Sequence, residues 1–310
     1  MLVVISNTKV AEIPGISAAG ATLDLIKYTP PADIEYIFYG KPKCIDAIPV
    51  TPQGHPTPAI ITKASKELAK FPLIAVRVGS ILPPQLPHIH VSSVPGGDIR
   101  YEDGSPEHDK LVEYGAMLGE ELREYRLVVG ESVPGGTTTA LAVLRALGYE
   151  NARVSSAFKD NPVELKEKVV EMALRRGKGP KECGDPMLSF TTGLVIGHRN
   201  LILAGGTQML AVAAMAKEYG YKPKMIATTK FVVNDKSANF VEMTREIGIE
   251  YYSTNLNLAK SKYKGLREYE DGYVKEGVGA GGSVYIAEKM GIDNEKILNK
   301  IDELYERLIK

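Results

Sequence analysis

The sequence predicts an α/β protein with a mainly parallel, doubly wound (Rossmann-like) sheet and a smaller, partly helical portion from the chain ends. Short apolar runs alternate along the chain with helical patterns, and several of these runs are followed by glycines. Strands that alternate with helices are typical of a parallel sheet with helices on both faces. The 310 residues suffice for one large domain or two modest ones. We therefore expect an α/β core at residues 72–290, with residues 1–71 and 291–310 packed on it as a smaller accessory portion.

Five apolar runs have the length and composition of buried strands, and they lie at residues 2–6, 73–78, 126–130, 201–205 and 225–229. Helical patterns are found at 137–147, from 161 onwards, at 284–290 and at 294–310, and Gly148 and Gly291 are the expected stops of the first and third. Residues 29–58 and 82–106 are rich in proline and turn formers, so we expect loops there. Ligands of open α/β sheets bind beyond the carboxyl ends of the strands, and the glycine turns that follow the strands are where chemistry is expected.

Charge and cysteine content argue against several classes of protein. Lys plus Arg and Asp plus Glu both number 38, a balance that gives no electrostatic footprint for nucleic acid or an anionic membrane. The longest nearly apolar run, residues 201–216, is too short to cross a bilayer. Cys44 and Cys183 form no C-x-x-C pair, and two isolated cysteines favour a reducing cytosol, so we expect a cytoplasmic protein that acts on small molecules. The N-terminal segment lacks the features of a signal peptide and is predicted to be a strand.

The most informative segment joins a predicted strand to a predicted helix and reads G-E-S-V-P-G-G-T-T from Gly130 to Thr138. A glycine turn that enters a helix directs backbone N–H groups and the positive end of the helix dipole at one point, which suits a phosphate. Thr137 and Thr138 add hydroxyl donors. The alternative is that Gly135 and Gly136 serve only the close packing of strand against helix.

Two familiar phosphate-binding loops match this segment less well. A P-loop requires G-x-x-x-x-G-K-S/T, and Gly136 stands where the phosphate-binding lysine would be. The diphosphate-dependent phosphoribosyltransferases carry an acidic pair before a similar loop, whereas Glu131 is a single acid here. We therefore expect a phosphate monoester to be held without a metal ion or cofactor. A phosphotransferase that uses the loop at 130–137 is the less favoured alternative.

A second acid, Glu276, precedes another glycine-rich helix entry with Gly277 and Gly279. Glycine neighbours let a substrate approach the carboxylate closely, and the helix dipole should hold that carboxylate charged. The alternative is an ordinary capping acid on a surface helix. Since Glu131 and Glu276 both precede glycine turns at helix starts, a parallel sheet could bring them to one crevice, with a third such turn at 205–206 beside them.

The two glycine turns together resemble the nicotinate-nucleotide–dimethylbenzimidazole phosphoribosyltransferases of cobamide synthesis, and the chain is similar to the divergent archaeal-type branch of that family. The phosphate-side motif of the family, G-E-x-x-x-G-x-T-T, is met by Gly130, Glu131, Gly135, Thr137 and Thr138. Its catalytic motif, E-G-x-G-A, is met by Glu276, Gly277, Gly279 and Ala280. The correspondence covers roughly residues 127–290, and departures from the bacterial pattern occur at Val133, Ala204, Thr57 and Ala64.

The resemblance implies a phosphoribosyltransferase that moves 5-phosphoribose from nicotinate mononucleotide to a benzimidazole-type or purine base, giving an α-riboside phosphate for the lower ligand of cobamides. Glu276 would be the general base, Glu131 a supporting acid, and the enzyme a homodimer. The residues expected to hold phosphate and ribose are Gly130, Gly135, Gly136, Thr137, Thr138, Lys166, Gly205, Gly206, Gly277 and Gly279. Lys166 lies on the apolar row of its helix, where it could instead cover the edge of the core. A nucleotide-binding protein without catalysis is the other alternative.

Overall fold

The computed structural model describes residues 1–20, 22–51 and 54–310. Within these ranges one sheet is formed by seven strands: β1 (Leu2–Ile5), β2 (Ile74–Val78), β3 (Ile89–Ser92), β4 (Val128–Ser132), β5 (Ile202–Ala204), β6 (Met225–Thr229) and β7 (Tyr251–Thr254). The strand order is β3-β2-β1-β4-β5-β6-β7, and every neighbouring pair is parallel. The predicted α/β class with a parallel, doubly wound sheet is therefore confirmed.

Helices cover both faces of this sheet. In the described ranges the α-helices are α1 (Thr29–Tyr39), α2 (Ala59–Ala69), α3 (His108–Glu121), α4 (Gly136–Ala146), α5 (Val163–Arg175), α6 (Pro180–Cys183), α7 (Pro186–Gly197), α8 (Thr207–Glu218), α9 (Lys230–Val233), α10 (Phe240–Ile247), α11 (Lys264–Arg267), α12 (Ala280–Lys289) and α13 (Asn294–Ile309). Three short 3-10 helices lie at Lys9–Glu12, Leu23–Tyr28 and Leu258–Lys260. One hydrophobic cluster joins the sheet to α1, α2, α12 and α13, and a second joins it to α4, α5, α7, α8 and α10.

β1 shows why the sheet needs helices on both faces. Its sequence, LVVI, is apolar throughout, and all four residues are buried. Leu2 and Val4 belong to the cluster of α4 and α8, whereas Val3 and Ile5 belong to the cluster of α1 and α2, because successive side chains of a strand point to opposite faces. β1 pairs with β4 across the point where the strand order reverses, and open α/β sheets bind their ligands there.

The position of β1 differs from the predicted division of the chain into a core and an accessory portion. β1 lies between β2 and β4 in the sheet, although the division places residues 1–71 in the accessory portion. The sheet core therefore includes the start of the chain, because a strand in this position pairs with neighbours on both sides. The assignment of the remaining chain ends to an accessory portion stays a prediction.

Several elements differ from the sequence predictions. Within the predicted loop at 82–106, Ile89–Ser92 form β3, an edge strand that pairs in parallel with β2. Residues 29–39 form α1 rather than a loop, because Pro30 and Pro31 occupy the first helical turn, where a missing N–H costs nothing. β7 has no counterpart among the predicted strands, since three of the four residues in its YYST sequence are at least partly exposed. β4 continues through Glu131 and Ser132, two residues beyond the predicted end of that strand.

α12 begins four residues before the predicted start at 284, because its glycines serve packing rather than a turn. A Cβ added at Gly281 would lie 2.4 Å from the carbonyl carbon of Thr228, and one at Gly282 would lie 2.2 Å from the Cβ of Ala204. No side chain fits at either position. α12 therefore lies directly on β5 and β6, with its first turn beside the end of β6.

Two further features bear on the classes considered from composition. No helix in the described ranges is both long and apolar enough to cross a membrane. Cys44 and Cys183 are free thiols, and burial raises the pKa of the Cys183 thiol to about 11. A buried thiol with a raised pKa is unreactive, so Cys183 acts as a core residue.

Candidate active site

A crevice of about 640 Å³ opens where β4 and β5 end. Small-molecule sites typically enclose about 300–1,000 Å³. Some of its lining comes from the turns that follow strands or precede helices, at residues 131–137, 206–208 and 273–278. The rest comes mainly from the N-terminal part of the chain and from residues 155–158. The crevice therefore lies beyond the carboxyl ends of the strands, next to the reversal point between β1 and β4, as expected for this fold class.

The end of β4 and the glycine turn before α12 are in direct contact. A Cβ added at Gly130 would lie 2.7 Å from the Cα of Gly279, so the strand and the turn could not approach each other if this glycine carried a side chain. The N–H of Val278 also donates a hydrogen bond to the carbonyl oxygen of Glu131 at 2.7 Å. The structure thus places Glu131 and Glu276 in one crevice.

The loop that leads into α12, residues 274–279, has an unusual backbone; we call it the α12 entry loop. Positive φ angles occur at Val274 (62°), Lys275 (53°), Gly277 (146°), Val278 (54°) and Gly279 (67°). Left-handed conformations are rare for β-branched residues such as valine. A left-handed conformation of a residue other than glycine costs on the order of 1–3 kcal/mol. Such a conformation persists where surrounding contacts hold it in place, most often at functional sites.

Glu276 directs its carboxylate at the first turn of α12. Oε1 accepts hydrogen bonds from the N–H groups of Gly277 (3.1 Å) and Gly281 (3.2 Å), and Oε2 accepts one from Thr229 N–H (3.0 Å). Burial raises the pKa of Glu276 to about 7, although these backbone donors lower it. The donors at the start of α12 thus favour the charged form, as expected, but they oppose a larger effect of burial, and the charge state of this carboxylate stays a prediction. The residue stays partly exposed to the crevice, so a substrate proton can reach it.

Glu131 is the more deeply buried of the two acids, with 3% of its surface exposed. Burial raises its pKa to about 8, and the negative charges of Glu276, Asp185 and Asp33 contribute to the same shift. Two carboxyl groups that share a crevice do not both ionise readily. The deeper burial of Glu131 and the negative charges around it favour its protonated form, which can donate a hydrogen bond, whereas the backbone donors at Glu276 favour the charged form, which can accept a proton.

A third buried acid, Asp33 of α1, ties the N-terminal part of the crevice wall to the end of β4. Its Oδ1 accepts a hydrogen bond from the Thr57 hydroxyl (2.6 Å), and its Oδ2 accepts one from the Ser132 hydroxyl (2.7 Å). Burial raises the pKa of Asp33 to about 6. All three residues line the crevice, in a region of the wall that also presents Ile16, Ile45, Ile48 and Val50. The wall therefore combines an aliphatic surface with one oriented polar cluster.

Two helix N-termini open on the crevice beside the acids. α4 begins at Gly136 and α8 at Thr207, and both residues line the crevice. Gly135 has a φ of 77°, and a Cβ there would lie 2.9 Å from the backbone nitrogen of Ala11, so this turn requires glycine. A Cβ at Gly136 would lie 2.5 Å from Nε2 of Gln208, which places that amide over the start of α4. Two helix N-termini directed at one space suit an anionic group.

Two buried lysines hold the crevice wall: Lys166 lies behind the lining, whereas Lys275 belongs to it. Lys166 Nζ donates to the carbonyl oxygen of Ser155 at 2.8 Å, and Lys275 Nζ donates to those of Ser156 (2.7 Å) and Phe158 (2.8 Å). Burial lowers the pKa of Lys166 to about 7, and the nearby positive charge of Lys275 contributes to this shift. Both ammonium groups thus support the wall in this structure, and contact between Lys166 and a phosphate stays a prediction.

The structure separates the predicted site residues into two groups. Those that line the crevice are Glu131, Gly135, Gly136, Thr137, Gly206, Glu276 and Gly277. Those that lie behind this lining are Gly130, Thr138, Lys166, Gly205 and Gly279. The Thr138 hydroxyl is buried and has no hydrogen-bond partner among the residues that the structure describes. Substrate contact by the second group stays a prediction.

Three residues of this site are absent from the sequence prediction. Asp33 falls in a proline-rich segment predicted as a loop, and only the tertiary fold brings it to Ser132, so no local signal marks it. Thr229 ends a predicted strand, a position where parallel sheets commonly place site residues. Lys275 directly precedes Glu276, and its position next to the catalytic motif was the available signal.

Relatives of the chain share its full length. A UPF0284 protein of Pyrococcus furiosus is 54% identical over 326 residues, covering 99% of this chain and 98% of that protein. The chain belongs to the UPF0284 family. UPF0284 proteins of Thermococcus kodakarensis (53% identical, 99% and 97% covered) and Saccharolobus solfataricus (46% identical, 99% and 92% covered) are also similar to it. No family model matches the sequence.

Solved structures share the fold of this UPF0284 protein. A nicotinate-nucleotide-dimethylbenzimidazole phosphoribosyltransferase from Thermus thermophilus matches with a TM-score of 0.60 and 17% identity, covering 94% of this chain and 82% of that one. A structure of CobT from the same organism matches with a TM-score of 0.60 and 14% identity, covering 99% and 82%. At 17% and 14% identity, the structural similarity shows a common fold. As far as the fold is concerned, it confirms the resemblance indicated by the two glycine motifs.

Proposed function

We propose that this UPF0284 protein transfers a 5-phosphoribosyl group from nicotinate mononucleotide to a nitrogenous base of the benzimidazole or purine class. The product would be an α-riboside phosphate that serves as the lower ligand of cobamides. The observation that carries the proposal is the pair Glu131 and Glu276, which the end of β4 and the glycine turn before α12 hold in one crevice with raised pKa values. The fold shared with the Thermus phosphoribosyltransferase supports the same reaction class.

The crevice has complementary places for the parts of the nucleotide. The phosphate fits the N-termini of α4 and α8, which begin at Gly136 and Thr207. The ribose then lies toward Glu131 and Glu276. The incoming base lies against the N-terminal part of the wall, which presents the aliphatic surface and the Asp33 cluster. This arrangement puts the anomeric carbon between the leaving and the entering base.

The transfer itself needs one proton acceptor. The bond from the ribose C1′ to the nicotinate nitrogen breaks, and its electrons neutralise the pyridinium charge, so the leaving group takes no proton. A ring nitrogen of the acceptor forms the new bond to C1′, and its proton passes to Glu276, whose pKa of about 7 suits a general base near neutral pH. Attack from the face opposite nicotinate converts a β-nucleotide into an α-riboside. Glu131, protonated by burial, donates a hydrogen bond to the ribose or the base.

A product assay tests this reaction class. Purified protein is given nicotinate mononucleotide and a panel of benzimidazoles and adenine in the presence of a chelator, and free nicotinate and new riboside phosphate are separated by chromatography. We expect equal amounts of both products with at least one base. Nucleotide binding without product would favour a binding protein, and a requirement for magnesium and a nucleoside triphosphate would favour a phosphotransferase; either result would overturn the proposal.

A further inference from the structure

Hydrogen bonds from neighbouring residues must hold the left-handed backbone of the α12 entry loop, and Thr229 donates two of them. Its hydroxyl donates a hydrogen bond to the carbonyl oxygen of Lys275 at 2.6 Å, and its N–H donates one to Oε2 of Glu276 at 3.0 Å. Thr229 is the last residue of β6 and only 1% exposed. A residue anchored in the sheet thus holds both the main chain before the acid and the carboxylate of the acid.

The other side of the loop is anchored to the crevice wall. The ammonium group of Lys275 donates to two carbonyl oxygens of the wall and lies 3.4 Å from Oδ2 of Asp235. The N–H of Val274 donates to the carbonyl oxygen of Ala157 at 2.8 Å. The left-handed residues Val274 and Lys275 are therefore held between the wall on one side and Thr229 on the other. Removal of one anchor should let the backbone relax toward ordinary φ angles.

We propose that Thr229 is a positioning residue for Glu276. Its hydroxyl fixes the Lys275 carbonyl, and this keeps the α12 entry loop in the turn that aims the Glu276 carboxylate into the crevice. The inference rests on the proposed function only where Glu276 is taken as the general base; the geometric part concerns the loop alone. Without the hydroxyl, the buried carbonyl oxygen of Lys275 loses its hydrogen-bond donor. Because an unpaired buried acceptor is costly, we expect the loop to shift to find another partner.

The neighbouring residue of β6 offers a matched control. Thr228 is also fully buried, but its hydroxyl has no hydrogen-bond partner among the residues that the structure describes. Replacement of threonine by valine keeps the branched shape and removes the hydroxyl. Thr228→Val therefore removes a hydroxyl of equal burial without removing a hydrogen bond, whereas Thr229→Val removes the one to Lys275. Thr229→Ser keeps the hydroxyl and serves as the conservative rescue.

Kinetics separate positioning from a general effect on stability. For Thr229→Val we expect kcat to fall roughly 10- to 100-fold and the acidic midpoint of the pH profile to shift, with KM for nicotinate mononucleotide changed by less than about three-fold. Thr229→Ser should recover most of the lost kcat, and Thr228→Val should match the wild type. Equal losses in both valine variants, or no loss in Thr229→Val, would overturn the proposal.

A second readout does not depend on turnover. Amide hydrogen exchange, followed by mass spectrometry, should accelerate at residues 274–279 in Thr229→Val but not in Thr229→Ser or Thr228→Val. If the wild type proves inactive with every base, the proposed function fails, and this exchange pattern still decides whether Thr229 holds the loop. Unchanged protection of the loop in Thr229→Val would refute the inference. Should Thr229→Val not fold, Thr229→Ala, which also removes the hydroxyl donor, replaces it and should give the same exchange pattern.

Discussion

Glu276 meets two opposing physical requirements. The backbone N–H groups of Gly277, Gly281 and Thr229 hold its carboxylate in one place, and such donors lower a carboxyl pKa. Burial in the crevice shields the same carboxylate from water, which raises its pKa, and this effect of burial exceeds that of the backbone donors. A carboxylate that is both fixed in position and titrates near pH 7 is what a general base needs. Glu131 lacks such a set of donors, and its pKa rises further.

The first prediction is a bell-shaped pH profile of turnover. The rate should rise as the pH passes about 7, because Glu276 must be ionised to accept a proton, and fall above about 8, as Glu131 loses the proton that it donates. Initial rates between pH 5 and 9 measure this profile. Glu131→Gln keeps a hydrogen-bond donor and should abolish the alkaline fall. A rate that declines steadily from pH 5 upward cannot be reconciled with Glu276 as base.

A second prediction at this scale concerns stability. The folded-state pKa of Glu131 is raised, so the folded chain binds more protons than the unfolded chain between about pH 4.5 and 8, and the free energy of unfolding should fall as pH rises through this window. Glu131→Gln removes this contribution. Its free energy of unfolding relative to the wild type should therefore increase with pH, by at most about 1.4 kcal/mol for each unit of pKa shift.

Urea denaturation at pH 5 and pH 9 measures that difference. The exposed acid Glu150 supplies the control, because Glu150→Gln removes a carboxylate from the surface rather than from the crevice. A difference between Glu131→Gln and the wild type that is the same at both pH values would show that Glu131 ionises normally in the folded protein.

At the scale of elements, the contact of α12 with the sheet sets the position of the α12 entry loop. Gly281 and Gly282 allow the first turn of this helix to lie on Thr228 and Ala204, and this closeness brings the N–H of Gly281 to the Glu276 carboxylate. A helix displaced from the sheet would carry that donor away. The glycines in the first turn of α12 thus serve the close approach of helix and sheet.

Gly282→Ala tests this contact. The added methyl would lie 2.2 Å from the Cβ of Ala204, and we expect a loss of about 1–3 kcal/mol in the free energy of unfolding. The double variant Gly282→Ala/Ala204→Gly removes the closest clash and should recover part of the loss. Thermal and urea unfolding of both variants measure the effect. Stability of Gly282→Ala equal to the wild type would mean that α12 does not lie this close to β5.

The elements also show how far sequence patterns reach. β1 and β6 could be predicted because buried parallel strands are short apolar runs, and the start of α4 could be predicted because a glycine turn precedes an apolar helix. α1 could not, since its two prolines at the first turn imitate a loop. Asp33 is part of the site only because α1 packs beside the end of β4, and contacts of this kind between distant segments leave no local pattern.

At the scale of the whole molecule, the strand order assembles the site. β4 and β5 adjoin in the sheet, and the turns that follow them meet the α12 entry loop across one crevice. Residues from the first part of the chain close the other side, where the acceptor base is proposed to bind. The N-terminal part of the crevice wall and the pair Glu131 and Glu276 thus come from separate parts of the chain. We therefore expect that substitutions in this wall change the choice of acceptor base and leave the proposed transfer step unchanged.

The family resemblance also predicts a homodimer. Light scattering coupled to size-exclusion chromatography should give a mass of twice the 33.7 kDa of one chain. The measurement should be repeated over a ten-fold range of concentration, because association depends on it. A mass of one chain at every concentration would show that the resemblance does not extend to assembly.

The most direct test of the central claim compares Glu276→Gln with the wild type in a single assay of nicotinate release and riboside phosphate formation. The account predicts a fall in turnover of about 10²- to 10⁴-fold, while calorimetric binding of nicotinate mononucleotide stays within a few-fold, because the amide keeps the shape of the side chain and loses its basicity. Glu150→Gln should behave like the wild type. Full turnover in Glu276→Gln would contradict the assignment of this residue as the general base.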